Sequence, residues 1–225
     1  MSYYTLVTKI QVPPYTRKQE FFNSISHFLG LPLALFIYFF GLGHYLTSEI
    51  NYFAYIGLTI FSSTVAMVYG FSAIYHNLPA DTLKKKIFRI IDHAAIFLLI
   101  AGTYTPICFY MISQGNNVGL LMLVIEFGTA IIGITLNVLL FHKAWVRISS
   151  LFLYILMGWL VMFVGGFSYL DFWPFVFILT GGIIYTIGAI SYAIGKKKLY
   201  FHCIFHVFIL VSTIAQMIGV LLLFA

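Results

Sequence analysis

Seven apolar runs, at residues 24–46, 52–77, 88–112, 118–140, 148–165, 172–194 and 200–224, take up nearly the whole chain and leave only short breaks between them. That pattern constrains the fold more than any motif does, because a helix needs about 20 consecutive apolar residues to cross the hydrocarbon core of a bilayer. Within that core every backbone N–H and C=O must be satisfied inside the segment, so the runs are predicted to be helices. Composition agrees: 62% of residues are apolar and 8% charged, with a mean hydropathy of +1.01, which no soluble domain of this size shows. The expected fold is therefore an all-α membrane protein, a seven-transmembrane helix bundle forming one domain over residues 1–225, with residues 1–21 as an N-terminal segment before the first span. That segment holds Pro13, Pro14, Arg17, Lys18 and Glu20 and no continuous apolar run, so it does not read as a cleavable signal peptide.

The basic residues set the orientation. Lys9, Arg17 and Lys18 precede the first run; Lys84, Lys85, Lys86 and Arg89 fall between the second and third; Lys143 and Arg147 follow the fourth; Lys196, Lys197 and Lys198 follow the sixth. These are all 12 of the chain's Lys and Arg, and two of the alternate loops carry acids instead, Glu49 and Asp171. Cytoplasmic loops retain positive charge, so the N-terminus is predicted to be cytoplasmic and the C-terminus outside, in a multi-pass protein of the cell membrane. The net charge of +6 is then a topology signal facing anionic headgroups, not a nucleic-acid surface. Cys108 and Cys203 fall near opposite faces, which excludes a disulfide between them. Gly165, Gly166, Gly181, Gly182 and Gly188 are expected to permit close helix packing.

Polar residues inside the runs are the candidates for chemistry, since ionisable groups in a span cost a few kcal/mol and face a bundle interior or a cavity. On the second run Ser72 and His76 share a helical face; on the seventh His202 and His206 do the same; the third opens with Asp92 and His93. The second run descends toward the inside while the third and seventh start from it, so all these groups are predicted to lie in one cytoplasmic layer. Three neutral imidazoles can hold Zn²⁺ and leave its fourth position to water, the arrangement of a catalytic site. Asp92 could then accept a proton from that water, and Ser72 could hold the water, a substrate oxygen or His76. The bland alternative is that an H-x-x-x-H pair is common and an interfacial histidine is often merely amphipathic. Two same-face pairs and an acid at one depth favour the metal site.

Other polar residues have plainer readings. Glu20, Asn23 and His27 lie at the start of the first helix and point to the same inner layer, though capping and interfacial anchoring would also explain them. His93 points about 100 degrees from Asp92 around the helix and is expected to pack or support. His44 and His142 are assigned to an outer end and an inner loop. Glu126 sits in the outer half of the fourth run, far from the histidines, with no partner evident from the sequence.

Taken together, EFFNSISH at Glu20–His27, SAIYH at Ser72–His76, RIIDHAAIFLLIAGTYTP at Arg89–Pro106, GGIIYTIGAISY at Gly181–Tyr192 and HCIFH at His202–His206 resemble the hemolysin III branch of the superfamily that includes the adiponectin and progestin receptors and the alkaline ceramidases. The resemblance spans nearly the whole chain. It implies a seven-helix fold, a zinc ion held by His76, His202 and His206, an acid at Asp92 and a serine at Ser72. It also implies a lipid partner, because superfamily members with characterised activity are similar to lipid amidases.

Three functions follow as expectations. The first is a zinc-dependent intramembrane hydrolase of a lipid amide or ester. The second is a non-enzymatic membrane sensor or regulator stabilised by a structural zinc site. The third, ranked below both, is a cytolysin, which needs a route into another membrane that seven retained spans do not supply. A retinal protein is excluded because every lysine lies in a loop or tail, and an inside N-terminus disfavours a G-protein-coupled receptor.

Overall fold

The computed structural model describes residues 3–195 and 198–225, so Lys196 and Lys197, assigned above to an inner loop, lie outside the described residues. Among the described residues the chain is helical, without strands. In chain order the helices are α1 (Tyr3–Thr8), α2 (Arg17–Phe28), α3 (Leu31–Leu46), α4 (Tyr52–Asn77), α5 (Leu83–Ser113), α6 (Val118–Leu140), α7 (Ala144–Gly158), α8 (Leu160–Phe163), α9 (Phe172–Gly195) and α10 (Tyr200–Leu221). Several starts are written locally. Thr16 and Gln19 exchange side-chain and backbone bonds across the first turn of α2, and the side chains of Asn51 and Thr82 accept from Ala54 N (2.9 Å) and Lys85 N (3.2 Å) at the starts of α4 and α5.

Six segments are long and apolar enough to cross a membrane: Arg17–Leu46, Tyr52–Asn77, Leu83–Ser113, Val118–Leu140, Phe172–Gly195 and Tyr200–Leu221. The first of these starts earlier than the predicted 24–46 and is made of two helices, α2 and α3, which part at Leu29 and Gly30 just before Pro32. The predicted run 148–165 departs further. The 15-residue α7 ends at Gly158, the four-residue α8 follows Trp159, and Gly165 takes a left-handed conformation (φ 69°) that stops the chain from continuing as helix.

The helices close into a ring. Each main helix packs on its chain neighbour, and α10 closes the circuit against α9, α2, α3 and α5. α4 and α5 are the most enclosed, while α6 and α9 turn most of their apolar surface outward. Exposed Ile131, Ile132, Phe152, Phe163, Phe172 and Trp173 form a surface that suits acyl chains and not water. Interior polar bonds cross between helices: Tyr69 Oη donates to Thr213 Oγ1 (2.8 Å), Ser62 Oγ to Ala34 O (2.8 Å), and Trp159 Nε1 to Thr186 Oγ1 (3.0 Å).

The glycines divide by position. A Cβ on Gly181 would meet Gln216 and one on Gly188 would meet Phe208, so both permit close approach of α9 and α10, and Gly166 packs on Val161. Gly182 and Gly165 face open space, which corrects the packing role expected for them; Gly165 serves the turn instead.

The N-terminal segment is built into the bundle. Val7 and Ile10 are buried with Ile90 and Phe141, Lys86 Nζ donates to Thr8 O (2.7 Å), and Arg89 Nη1 donates to Gln11 O. These contacts gather residues 7–11, the start of α5 and the end of α6 at one end of the molecule, the end at which the histidines lie.

Candidate metal centre

Three helix termini meet at that end. His76 is in the last turn of α4, and His202 and His206 occupy successive turns on one face at the start of α10, their rings edge to face with centroids 4.7 Å apart. All three are buried and offer ring nitrogens within 4.8 Å of one another. The His202 Nε2 atom lies 3.4 Å from His76 Nε2 and 3.1 Å from His206 Nε2. Three neutral imidazoles cannot all satisfy their lone pairs among themselves at such distances, and one divalent cation would satisfy them together. The group could hold a metal.

The orientation of His76 is fixed from behind. Its Nδ1 lies 2.6 Å from Glu20 Oε2, so the Nδ1–H donates to the carboxylate and the Nε2 lone pair turns toward the other two rings. The second Glu20 oxygen receives Lys85 Nζ at 2.6 Å, and that ammonium also donates to Leu78 O (2.9 Å) and lies over the Tyr75 ring. Glu20 thus joins α2, α4 and α5, a role beyond the capping expected of it. From the other side Tyr15 stacks on His202, with ring centroids 4.9 Å apart and planes 16° apart. Burial raises the Tyr15 phenol above its ordinary range.

Asp92 and Ser72 are buried and line, with His202 and His206, one end of a cavity of about 130 Å³. His93 lines the same cavity; its Nδ1 contacts Arg89 O (3.0 Å) and lies 3.5 Å from Asp92 Oδ2, and its Nε2 lies 3.1 Å from Tyr192 Oη. The cavity then runs away from the histidines between α5, α7, α9 and α10 to Tyr104 and Gln216, with a mostly apolar wall. From Asp92 to Tyr104 along α5 is roughly 18 Å at 1.5 Å per residue.

The remaining sequence candidates are scattered. His44 pairs with Glu49 (2.5 Å) at the far end of α3. Glu126 is fully buried on α6 near Tyr104 and Cys108, without a hydrogen-bond partner among the described residues, and does not line the cavity. Sequence reasoning placed Glu20 in the layer of the histidines without its contacts to His76 and Lys85, and missed Tyr15. The signal for that placement was available: Glu20, Asn23 and His27 recur at helical spacing on one face of α2.

Comparison with known proteins matches the family model for haemolysin-III related proteins over residues 15–217. The chain is 33% identical over 213 residues to a hemolysin-3 homolog of Bacillus subtilis (strain 168), covering 92% of this chain and 95% of that protein. It is 34% identical over 198 residues to a hemolysin-3 of Bacillus cereus, covering 86% of each.

Proposed function

From its place in the haemolysin-III related family, to which this chain belongs, we propose that this multi-pass integral membrane protein is a zinc-dependent hydrolase of a lipid amide or ester. The observation that carries the reading is the convergence of His76, His202 and His206 Nε2 atoms at the head of an elongated apolar cavity. Nitrogens held about 2.0–2.1 Å from a tetrahedral zinc stand roughly 3.3–3.4 Å apart, close to the 3.4 and 3.1 Å that separate His202 Nε2 from the other two, and all three lie within 4.8 Å of one another. A zinc ion there, when bound, supplies Lewis acidity toward a carbonyl and acidifies water.

The protein's own groups divide the rest of the work. Glu20 holds the His76 ring so that Nε2 faces the centre. Asp92 accepts a proton from the attacking water at its carboxylate and returns it to the leaving amine nitrogen or alcohol oxygen. Ser72, on the same cavity wall, donates its hydroxyl to hold the substrate oxygen or the water in place. The apolar cavity takes the acyl chain and keeps bulk water from the reacting carbonyl.

The proposed topology is seven spans with a cytoplasmic N-terminus and an outside C-terminus, as the positive-inside pattern requires. The seventh crossing is supplied by α7 and α8 together, residues 144–163, which reach about 30 Å at 1.5 Å per residue despite the interruption at Trp159. The test is turnover of a panel of fluorescent lipid amides and esters by the purified protein and by Asp92→Asn. Hydrolysis by the first that is lost in the second, with metal content equal, supports the reading. No hydrolysis of any member by zinc-replete protein, with Asp92→Asn leaving the cellular phenotype intact, favours the sensor instead.

A further inference from the structure

Beside the histidine triad lies a second buried polar group, on α2. Asn23 and His27 occupy successive turns of α2, both buried, and all four of their side-chain polar atoms, Asn23 Oδ1 and Nδ2 and His27 Nδ1 and Nε2, lack a hydrogen-bond partner among the described residues. An unsatisfied buried polar atom costs about 1–3 kcal/mol, so four in one place suit a polar ligand. His27 is also aimed at the site, with Asn23 one turn before it on α2. The His27 ring lies 3.7 Å, centroid to centroid, from that of His206, its edge rests against Tyr69 at 5.1 Å, and His27 lines the cavity alongside Ser72 and Asp92.

Resting on the hydrolase reading above, we propose that His27 and Asn23 are substrate-binding residues that seat the polar end of the lipid next to the triad and select a headgroup able to donate a hydrogen bond as well as accept one. The chemistry of the two side chains sets that preference. A neutral imidazole offers one donor and one acceptor, and a carboxamide offers two donors and a carbonyl acceptor. A plain ester carries acceptors only and leaves the His27 lone pair and Asn23 Oδ1 unsatisfied. An amide N–H or a hydroxyl meets them, and failing to meet a buried acceptor is what a binding site rejects most strongly.

The test compares the ethanolamide and the ethyl ester of lauric acid as probes of the full-length protein in lipid nanodiscs. Binding is read from the fluorescence of Trp159, which lines the cavity, after the exposed Trp145 and Trp173 are replaced by Phe. The expected result is that the ethanolamide binds about tenfold more tightly than the ester. His27→Phe, which keeps an aromatic ring against His206, and Asn23→Leu are each expected to cut that preference about fivefold, weakening the ethanolamide more than the ester. Equal binding of the two probes by the wild-type chain overturns the proposal whatever the variants do, and so does equal weakening of both probes in the variants. Product analysis runs alongside. Selective binding through His27 with neither probe hydrolysed leaves this inference standing and removes the hydrolase reading.

Discussion

Removing the Glu20 carboxylate should strip two buried side chains, Lys85 and His76, of their shared partner. Lys85 is 1% exposed at its side chain and Glu20 17%, with Nζ 2.6 Å from one oxygen and His76 Nδ1 2.6 Å from the other. Breaking a fully buried pair by deleting one member costs about 3–5 kcal/mol. The partial exposure of Glu20 and the remaining bond from Lys85 to Leu78 O lower the expectation for Glu20→Ala to about 2–3 kcal/mol. For a chain of this length that is a fall of roughly 4–12 °C in Tm. Most of the loss comes from the stranded ammonium, so Glu20→Ala combined with Lys85→Met should regain all but about 1 kcal/mol. The same single change frees the His76 ring and should weaken metal binding about 10- to 100-fold, a defect the second substitution does not repair. Thermal unfolding in detergent gives the stabilities, and competition with a chelator gives the affinities. A double variant no more stable than the single one refutes the stranded-charge argument, and unchanged metal affinity refutes the role assigned to Glu20.

Other outcomes follow from the same geometry. His202→Ala is expected to lose stoichiometric metal altogether, because it removes the nitrogen that lies between the other two; elemental analysis of purified protein decides it. Ser72→Ala should keep its metal and lower turnover about tenfold, the size of one lost hydrogen bond in the reacting complex, measured as kcat/KM on whichever lipid the panel identifies. Gly102→Leu drives a side chain into Thr64 on α4 and should destabilise the α4–α5 contact by about 1–3 kcal/mol in the same unfolding assay. Tyr15→Ala uncovers one face of His202 and should raise the rate at which a water-soluble chelator strips metal, while equilibrium affinity changes little.

The helices were legible because the bilayer imposes one rule on every segment, and the second, fourth and sixth predicted runs coincide with α4, α6 and α9 to within a residue. The fifth run, 148–165, holds an interrupted helix for a local reason. Gly158, Trp159 and Gly165 sit in a run whose hydropathy does not register a broken backbone, and hydropathy cannot distinguish a continuous helix from one that stops and restarts. The site was legible in part for a similar reason: same-face spacing on α4 and α10 pairs Ser72 with His76 and His202 with His206 without any tertiary information. What joins them is not local. Glu20 reaches His76 across 56 positions and Lys85 across 65, and Tyr15 meets His202 only because the N-terminal segment folds back over the bundle. A capping role explains an acid at a helix start equally well, so spacing alone could not promote Glu20 above it.

The claim on which the rest depends is that His76, His202 and His206 hold one zinc ion at the head of the cavity. Anomalous diffraction collected on either side of the zinc absorption edge, from crystals of the protein purified without added metal, tests it directly. The account predicts a single strong peak within about 2.0–2.1 Å of all three Nε2 atoms. No peak among these rings, or a peak elsewhere in the bundle, contradicts it.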